Sequence, residues 1–337
     1  VQLAPGEIVG VLGHNGMGSV YAVTHNGFGK RAALKLCHKS ILNAQFTADT
    51  FLREARVVHL VDHPGVCDVF ATGTYDGRPY LALERLTGET LGSRLERGPI
   101  AKEDALEIIL ELTEVLAAAH EAKVVHRDLK LDNVFLLPKP GAAGRHVKLL
   151  DWGVACILGE PDPMRGMIAG TLTYVAPEQV RGDAISSAAD VYSLAVLAYQ
   201  TLFGEPPFTS RSDLELIQKH LRAAPPNPSL LWPEIPGELA VLLLAMLAKD
   251  PERRPPLCEV QRVMKAALAA LRPSVVRVKA RWFAPASRHA RQLWAAPLQA
   301  ADVLGRPTIT LSAKQRAMGI ALGVMFLAAS LVSLISV

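Results

Sequence analysis

Cysteine is scarce and scattered in this chain, aromatic side chains make up only 6% of it, and no internal repeat runs through its 337 residues. The four cysteines, Cys37, Cys67, Cys156 and Cys258, form no C-x-x-C pair, and no histidine stands at metal-ligand spacing from them. That excludes a zinc knuckle and a disulfide scaffold. Idle thiols fit a reducing compartment. Nothing at Val1–Pro5 resembles a signal peptide. The chain opens on Val1 rather than methionine and closes on apolar residues, so it is expected to continue beyond its ends.

Acidic side chains are nearly missing from residues 262–316, where 11 Lys and Arg face Asp302 alone for a net of +10. Of the overall +4, that leaves −6 for the first 261 residues. A mildly acidic globule followed by a basic strip is not the pattern of a nucleic-acid binder, and no nucleic-acid partner is expected. It suits a domain placed beside an anionic membrane surface. Charge of either sign is then absent from the 21 residues Ala317–Val337. At about 1.5 Å per residue this run reaches on the order of 30 Å as a helix, enough to cross a bilayer core. With Lys314 and Arg316 flanking it, the expectation is a transmembrane helix at 317–337 behind a basic juxtamembrane linker at 271–316. A buried helix of a soluble fold is the alternative.

What is present is a folded core, since 50% apolar and 20% charged residues place the chain among globular proteins. Five early segments alternate as strands do: Ile8–Leu12, Ser19–Thr24, Arg31–Cys37, Val66–Thr74 and Tyr80–Glu84. A helix is predicted between them over Ala48–Leu60. From about Glu103 the pattern turns helical, with Leu106, Ile109, Leu110, Thr113, Leu116 and Ala117 on one face of Glu103–Ala122. Asp190–Phe203, Asp213–Leu221 and Glu238–Ala248 are further amphipathic runs separated by proline turns. The expected class is α+β, a small strand-rich lobe and a larger helical lobe, with Leu86–Gly88 as the hinge.

Chemistry is densest in His126-Arg127-Asp128-Leu129-Lys130-Leu131-Asp132-Asn133. Moving a phosphoryl group to an alcohol needs a carboxylate to orient the hydroxyl and take its proton, a nearby cation and a metal ligand. Asp128, Lys130 and Asn133 supply those groups within six residues. Eighteen residues after Asn133, Asp151-Trp152-Gly153 follows the mostly apolar run Val147–Leu150. Its carboxylate adds the second oxygen ligand that a Mg²⁺ ion bridging two phosphates requires.

With these motifs in this order, about residues 6–270 resemble the eukaryotic-type (Hanks-type) serine/threonine protein kinases. The resemblance implies a two-lobed protein-kinase fold, N-lobe about 6–86 and C-lobe about 87–270. It implies ATP and Mg²⁺ as cofactors, with Mn²⁺ as an alternative metal, and protein substrates with Ser or Thr acceptors. Asp128 is then the catalytic base, Lys130 attends the γ-phosphate, and Asn133 and Asp151 are the metal ligands. Leu12-Gly13-His14-Asn15-Gly16-Met17-Gly18-Ser19-Val20 matches the glycine-rich loop. Leu12, Gly13, Asn15, Gly16 and Gly18 would cover the phosphates, and Val20 would pack on the adenine. Asn15 replaces the family's second glycine, and Asn tolerates φ > 0 better than most side chains. Lys35 in Ala32-Ala33-Leu34-Lys35-Leu36 would hold the α- and β-phosphates, and Glu54 would hold Lys35. Backbone groups at Glu84 and Leu86 would bond the adenine edge, with Leu83 behind it.

Lys130 and Thr171 carry the serine/threonine assignment, while Glu178 with Arg254, and Asp190, are implied as structural braces. Bacterial members are often single-pass, so the resemblance also implies a cell-membrane location with the kinase domain cytoplasmic, and leaves a homodimer open. An inactive pseudokinase scaffold is the competing reading, supported by Asn15 and by Trp152, which replaces a phenylalanine. A small-molecule kinase of the same fold is disfavoured by Ala176-Pro177-Glu178, which builds a peptide platform in protein kinases. One absence remains: no Ser, Thr or Tyr lies between Gly153 and Gly170, the stretch from which Arg127 would receive a phosphate. Glu160 or Asp162 is expected to stand in for that charge.

Overall fold

The computed structural model describes residues 2–3, 6–14, 16–25, 29–42, 47–139, 144, 146–162, 164 and 171–272. Its first lobe is a twisted antiparallel sheet. The strands are β1 (Gln2–Leu3), β2 (Gly6–His14), β3 (Gly18–His25), β4 (Arg31–Cys37), β5 (Val69–Tyr75) and β6 (Arg78–Glu84). Among the described residues they lie in the order β1-β2-β3-β4-β6-β5. β4 is central, with Lys35 opposite Val20 on one side and Leu81 on the other. Alternation along β4 sorts its side chains. Leu34 and Leu36 join Val23 in one apolar cluster, while Cys37 packs with Leu81 and Phe51 on the other face. Lys35 shares that second face.

Helix α1 (Ala48–Val61) covers this face. Thr47 caps its start by accepting from the Thr50 amide, and Asp62 ends it in the left-handed conformation at φ 38°. Its buried stripe is Phe51, Glu54, Val57, Val58 and Val61, at helical spacing with one acid among the apolar residues. The strand expected over Val66–Thr74 begins only at Val69. The preceding residues pair with the other lobe instead: Leu149 donates to the Gly65 carbonyl at 2.7 Å, and Val66 forms a parallel bridge to Leu149.

The second lobe is helical. After β7 (Glu89–Thr90) and α2 (Leu91–Glu96), helix α3 (Lys102–Glu121) runs through its middle. The apolar face predicted for it is too narrow. Leu110 and Ala117 are only half-buried, whereas Ile108, Leu112, Val115 and Ala119 are fully buried. The cause is tertiary, because α3 packs against several elements at once. These are β8 (Val124–Val125), β10 (Val147–Leu149), α5 (Ala188–Phe203) and α9 (Leu257–Leu271). Helix α5 is buried nearly all round, and α4 (Pro177–Arg181), α6 (Asp213–Arg222), α7 (Pro228–Leu231) and α8 (Gly237–Met246) complete the described lobe. Leu271, expected to open the linker, instead closes α9, and the rest of the linker from residue 273 and the 317–337 helix of the sequence reading lie outside the described residues. Among the described residues no helix is long and apolar enough to cross a membrane.

Candidate active site

Lys35 is the centre of a buried charge cluster. Its Nζ lies 2.6 Å from Glu54 Oε2 and 2.6 Å from Asp151 Oδ1. Burial alone would lower the Lys35 pKa, but Asp151 and Glu54 outweigh it and raise the ammonium well above its ordinary value. Burial pushes Asp151 up, and Lys35 overrides this to hold the carboxyl at about 2. Glu54 goes the other way: burial raises it, and the pull of Lys35 does not compensate. One cation shared by two carboxylates leaves the cluster negative, with Asp151 the firmly ionised member.

The second half of the site hangs between short strands. β8 leads into His126–Lys130, Leu131–Asn133 forms a 3-10 turn, and β9 (Val134–Leu136) then pairs antiparallel with β10. That pairing explains how Asn133 and Asp151 meet across eighteen residues: Val134 stands opposite Leu149, and Leu150 donates to the Asn133 carbonyl at 2.8 Å. Arg127 and Asp151 both hold positive φ, 68° and 59°. Such backbone costs roughly 1–3 kcal/mol per residue and needs bracing. Asp190, fully buried on α5, provides it by accepting from the amides of His126 and Arg127, both at 2.9 Å.

Asp128 is oriented from three sides. Lys130 Nζ donates to Oδ2 at 2.6 Å and Asn133 Nδ2 to Oδ2 at 3.2 Å. Thr171 donates to Oδ1 through its amide at 2.9 Å and its hydroxyl at 3.2 Å. Asn133 also donates from its amide nitrogen to the Asp128 carbonyl at 2.8 Å, which leaves the amide oxygen as the atom that would meet a metal. An ionised carboxylate and an amide oxygen on adjacent loops make a hard oxygen donor set, which fits Mg²⁺. The phosphate side fits as well. A Cβ built on Gly13 or Gly16 meets nothing within 4 Å, so the space beside both backbones is open. Gly18 is demanded by the sheet, since its Cβ would come 2.5 Å from the Leu36 carbonyl. Leu12 is exposed and Val20 half-buried, whereas Asn15 lies outside the described residues. β6 ends at Glu84, and Leu86 follows in the connection to β7.

Comparison with known sequences decides the family. The model of the protein kinase domain matches residues 7–265. The chain belongs to the protein kinase family. It is 36% identical to serine/threonine-protein kinase Pkn1 of Myxococcus xanthus over 74% of this chain and 36% of that protein. To serine/threonine-protein kinase PknA of Mycobacterium tuberculosis it is 34% identical, over 72% of this chain and 56% of that protein. PknB of the same organism is 30% identical over 74% and 40%. The kinase chain thus spans between about a third and just over half the length of these relatives.

Several contacts of the kinase site have no local signature. Lys148, buried on β10, donates to Glu84 Oε2 at 2.7 Å and to the Val66 carbonyl at 3.0 Å, tying the strand before Asp151 to the hinge. Ser19 Oγ sits 2.9 Å from His14 Nδ1 and 2.8 Å from His38 Nε2, linking the glycine hairpin to the end of β4. Gln179 donates to the Arg127 carbonyl at 3.2 Å. An apolar strand with one lysine was the only available hint of Lys148. The Ser19–His38 and Gln179–Arg127 contacts join residues 19 and 52 apart in the chain, too far for a local pattern to show.

Proposed function

We propose that this protein is a serine/threonine kinase that transfers the γ-phosphoryl group of Mg·ATP to Ser or Thr hydroxyls of protein substrates. The observation that carries the reading is Asp128, held by Lys130, Asn133 and Thr171 in a loop beside the Lys35–Glu54–Asp151 cluster. Asp128 orients the acceptor hydroxyl and accepts its proton. Lys130 faces the transferred group, and Lys35, fixed by Glu54, takes the α- and β-phosphates. Asn133 and Asp151 would hold the Mg²⁺, which when bound neutralises charge on the phosphate oxygens. Backbone groups of Glu84 and Leu86 receive the adenine. Thr171 on Asp128 supports a Ser/Thr rather than a Tyr acceptor, and Lys130 supports it too.

The assay is transfer from labelled ATP to a generic basic protein by the full chain. Wild-type activity lost by at least about 10³-fold in Asp128→Asn is expected. Equal activity of the two would overturn the reading in favour of an inactive scaffold. We also propose a membrane tether through residues 317–337 with the kinase domain cytoplasmic, supported by the uncharged run and the basic residues before it. Recovery of the full chain in a carbonate-washed soluble fraction would count against that.

A further inference from the structure

A second set of charges lies beside the catalytic loop and takes no part in the chemistry above. Arg127, the neighbour of Asp128, is buried and meets Asp162 with two parallel bonds, Nη1 to Oδ2 at 2.7 Å and Nη2 to Oδ1 at 3.1 Å. Its Nε donates to the Val154 carbonyl at 2.7 Å. Two residues before Asp162, Glu160 accepts from Arg56 of α1 at 2.6 and 3.0 Å and lies 3.7 Å from Arg53 Nη2. Arg53 Nη1 also donates to the Pro161 carbonyl at 3.2 Å. Residues 160–162 therefore stand between the helix that carries Glu54 and the loop that carries Asp128.

Both guanidinium–carboxylate contacts are bidentate, the geometry with which arginine also takes phosphate. Burial would raise the Asp162 carboxyl, yet the Arg127 bonds outweigh it and hold it below the ordinary range. The two carboxylates do different jobs. Asp162 neutralises a buried cation one residue from Asp128, where an unpaired charge would disturb the left-handed turn at Arg127. Glu160 reaches the opposite way, onto an exposed arginine of α1, where a single pair is worth little by itself. No hydroxyl side chain is present between Gly153 and Gly170 to carry a phosphate in their place.

We propose that Asp162 and Glu160 are positioning residues of the phosphotransfer site, which clamp α1 and the catalytic loop in their assembled arrangement without any phosphate on this segment. The proposal rests on the kinase reading above. It goes beyond a stand-in charge, because it assigns the two acids to two separate cationic partners and makes Asp162 the dominant one.

The test uses the full chain, phosphatase-treated and checked by mass spectrometry, with labelled ATP and a generic basic protein. Treated wild type should keep its rate. Asp162→Asn should lower kcat about 10- to 100-fold while the KM for ATP moves less than about twofold, and Asp162→Glu should recover most of the loss. Glu160→Arg should lower kcat, and pairing it with Arg56→Glu should restore it, a coupling that general destabilisation would not produce. Wild-type kcat in Asp162→Asn, loss of activity on phosphatase treatment, or an essential phosphothreonine at Thr173 would each overturn the proposal alone. If Asp162→Asn does not fold, the phosphatase arm and the Glu160–Arg56 swap decide. No transfer by untreated wild type would overturn the kinase reading itself.

Discussion

The Glu178–Arg254 pair and the Lys35–Glu54–Asp151 cluster both put charge where water does not reach, but they are composed differently. Arg254 meets Glu178 through two bonds of 2.6 and 2.7 Å and gives two more of its five donors to the carbonyls of Ala188 and Ala248. One cation faces one anion, and both side chains are essentially unexposed. Lys35 instead serves two carboxylates, and Asp151 keeps a fifth of its side chain accessible. The closed pair is out of reach of a ligand. The open cluster carries an excess negative charge on the side where a cation and phosphates would enter. Saturation marks the structural pair, and imbalance marks the chemical one.

Two substitutions can break that contrast. Asp151→Asn leaves Lys35 paired with Glu54, so unfolding free energy should fall by only about 2 kcal/mol, the worth of holding the Asp151 pKa at about 2 rather than 3.8, while phosphoryl transfer falls by about 10³-fold or more. Glu178→Gln leaves a guanidinium buried without its counter-ion and should cost about 3–5 kcal/mol in denaturant unfolding. Its remaining folded molecules should turn over at a near-normal rate. Equal stability losses in the two variants would show that the Lys35 cluster is as structural as the other.

Much of this contrast was legible before any coordinates. Asp128, Lys130 and Asn133 sit in one contiguous motif, so local pattern pointed to them, whereas Glu54 was reached only through the family resemblance and its place in a buried helical stripe appears in the structure. The ends of β4 and the start of α1 also follow from alternation and capping at the residues themselves. What stayed hidden depends on distant partners. Val66 leaves the strand pattern because Leu149 of the other lobe captures it, and α3 buries more than one face because α1, β8, β10, α5 and α9 all pack on it. Lys148 is the clearest case, since its role is set by Glu84, which lies 64 residues away.

A pH titration sharpens the comparison from the closed side. His220 is fully buried next to this region, 3.1 Å from the Tyr192 hydroxyl, and Arg254 stacks on the Tyr192 ring at 4.9 Å. Burial, with Lys249 adding repulsion, lowers the His220 pKa from 6.5 to about 4. A depressed folded value means stability fully present above pH 6.5 and lost as pH falls through about 4. The loss should reach about 3 kcal/mol. In the open cluster Asp151 responds lower, taking its proton only near pH 2, below its ordinary 3.8, while burial holds Glu54 above its ordinary value. Denaturant midpoints followed from pH 7 to 4 should therefore fall in wild type and flatten in His220→Phe. An unchanged slope would place the acid sensitivity elsewhere.

The smallest expected effect belongs to Trp152, which borders the open cluster. Its ring is 1% exposed and meets His126 edge-on at 4.5 Å, yet its Nε1 has no hydrogen-bond partner among the described residues. Two opposing contributions follow for Trp152→Phe. Removing a buried unpaired N–H relieves about 1–3 kcal/mol. Shrinking a filled pocket costs a similar amount, by the cavity it leaves. The expected net change in stability is under about 1 kcal/mol, since phenylalanine keeps the edge contact with His126. Transfer should change less than threefold, because Asp151 is held by Lys35 and not by the indole. A stability loss above about 2 kcal/mol would mean that indole shape, rather than the Lys35 ion pairs, keeps the Asp151 segment in place.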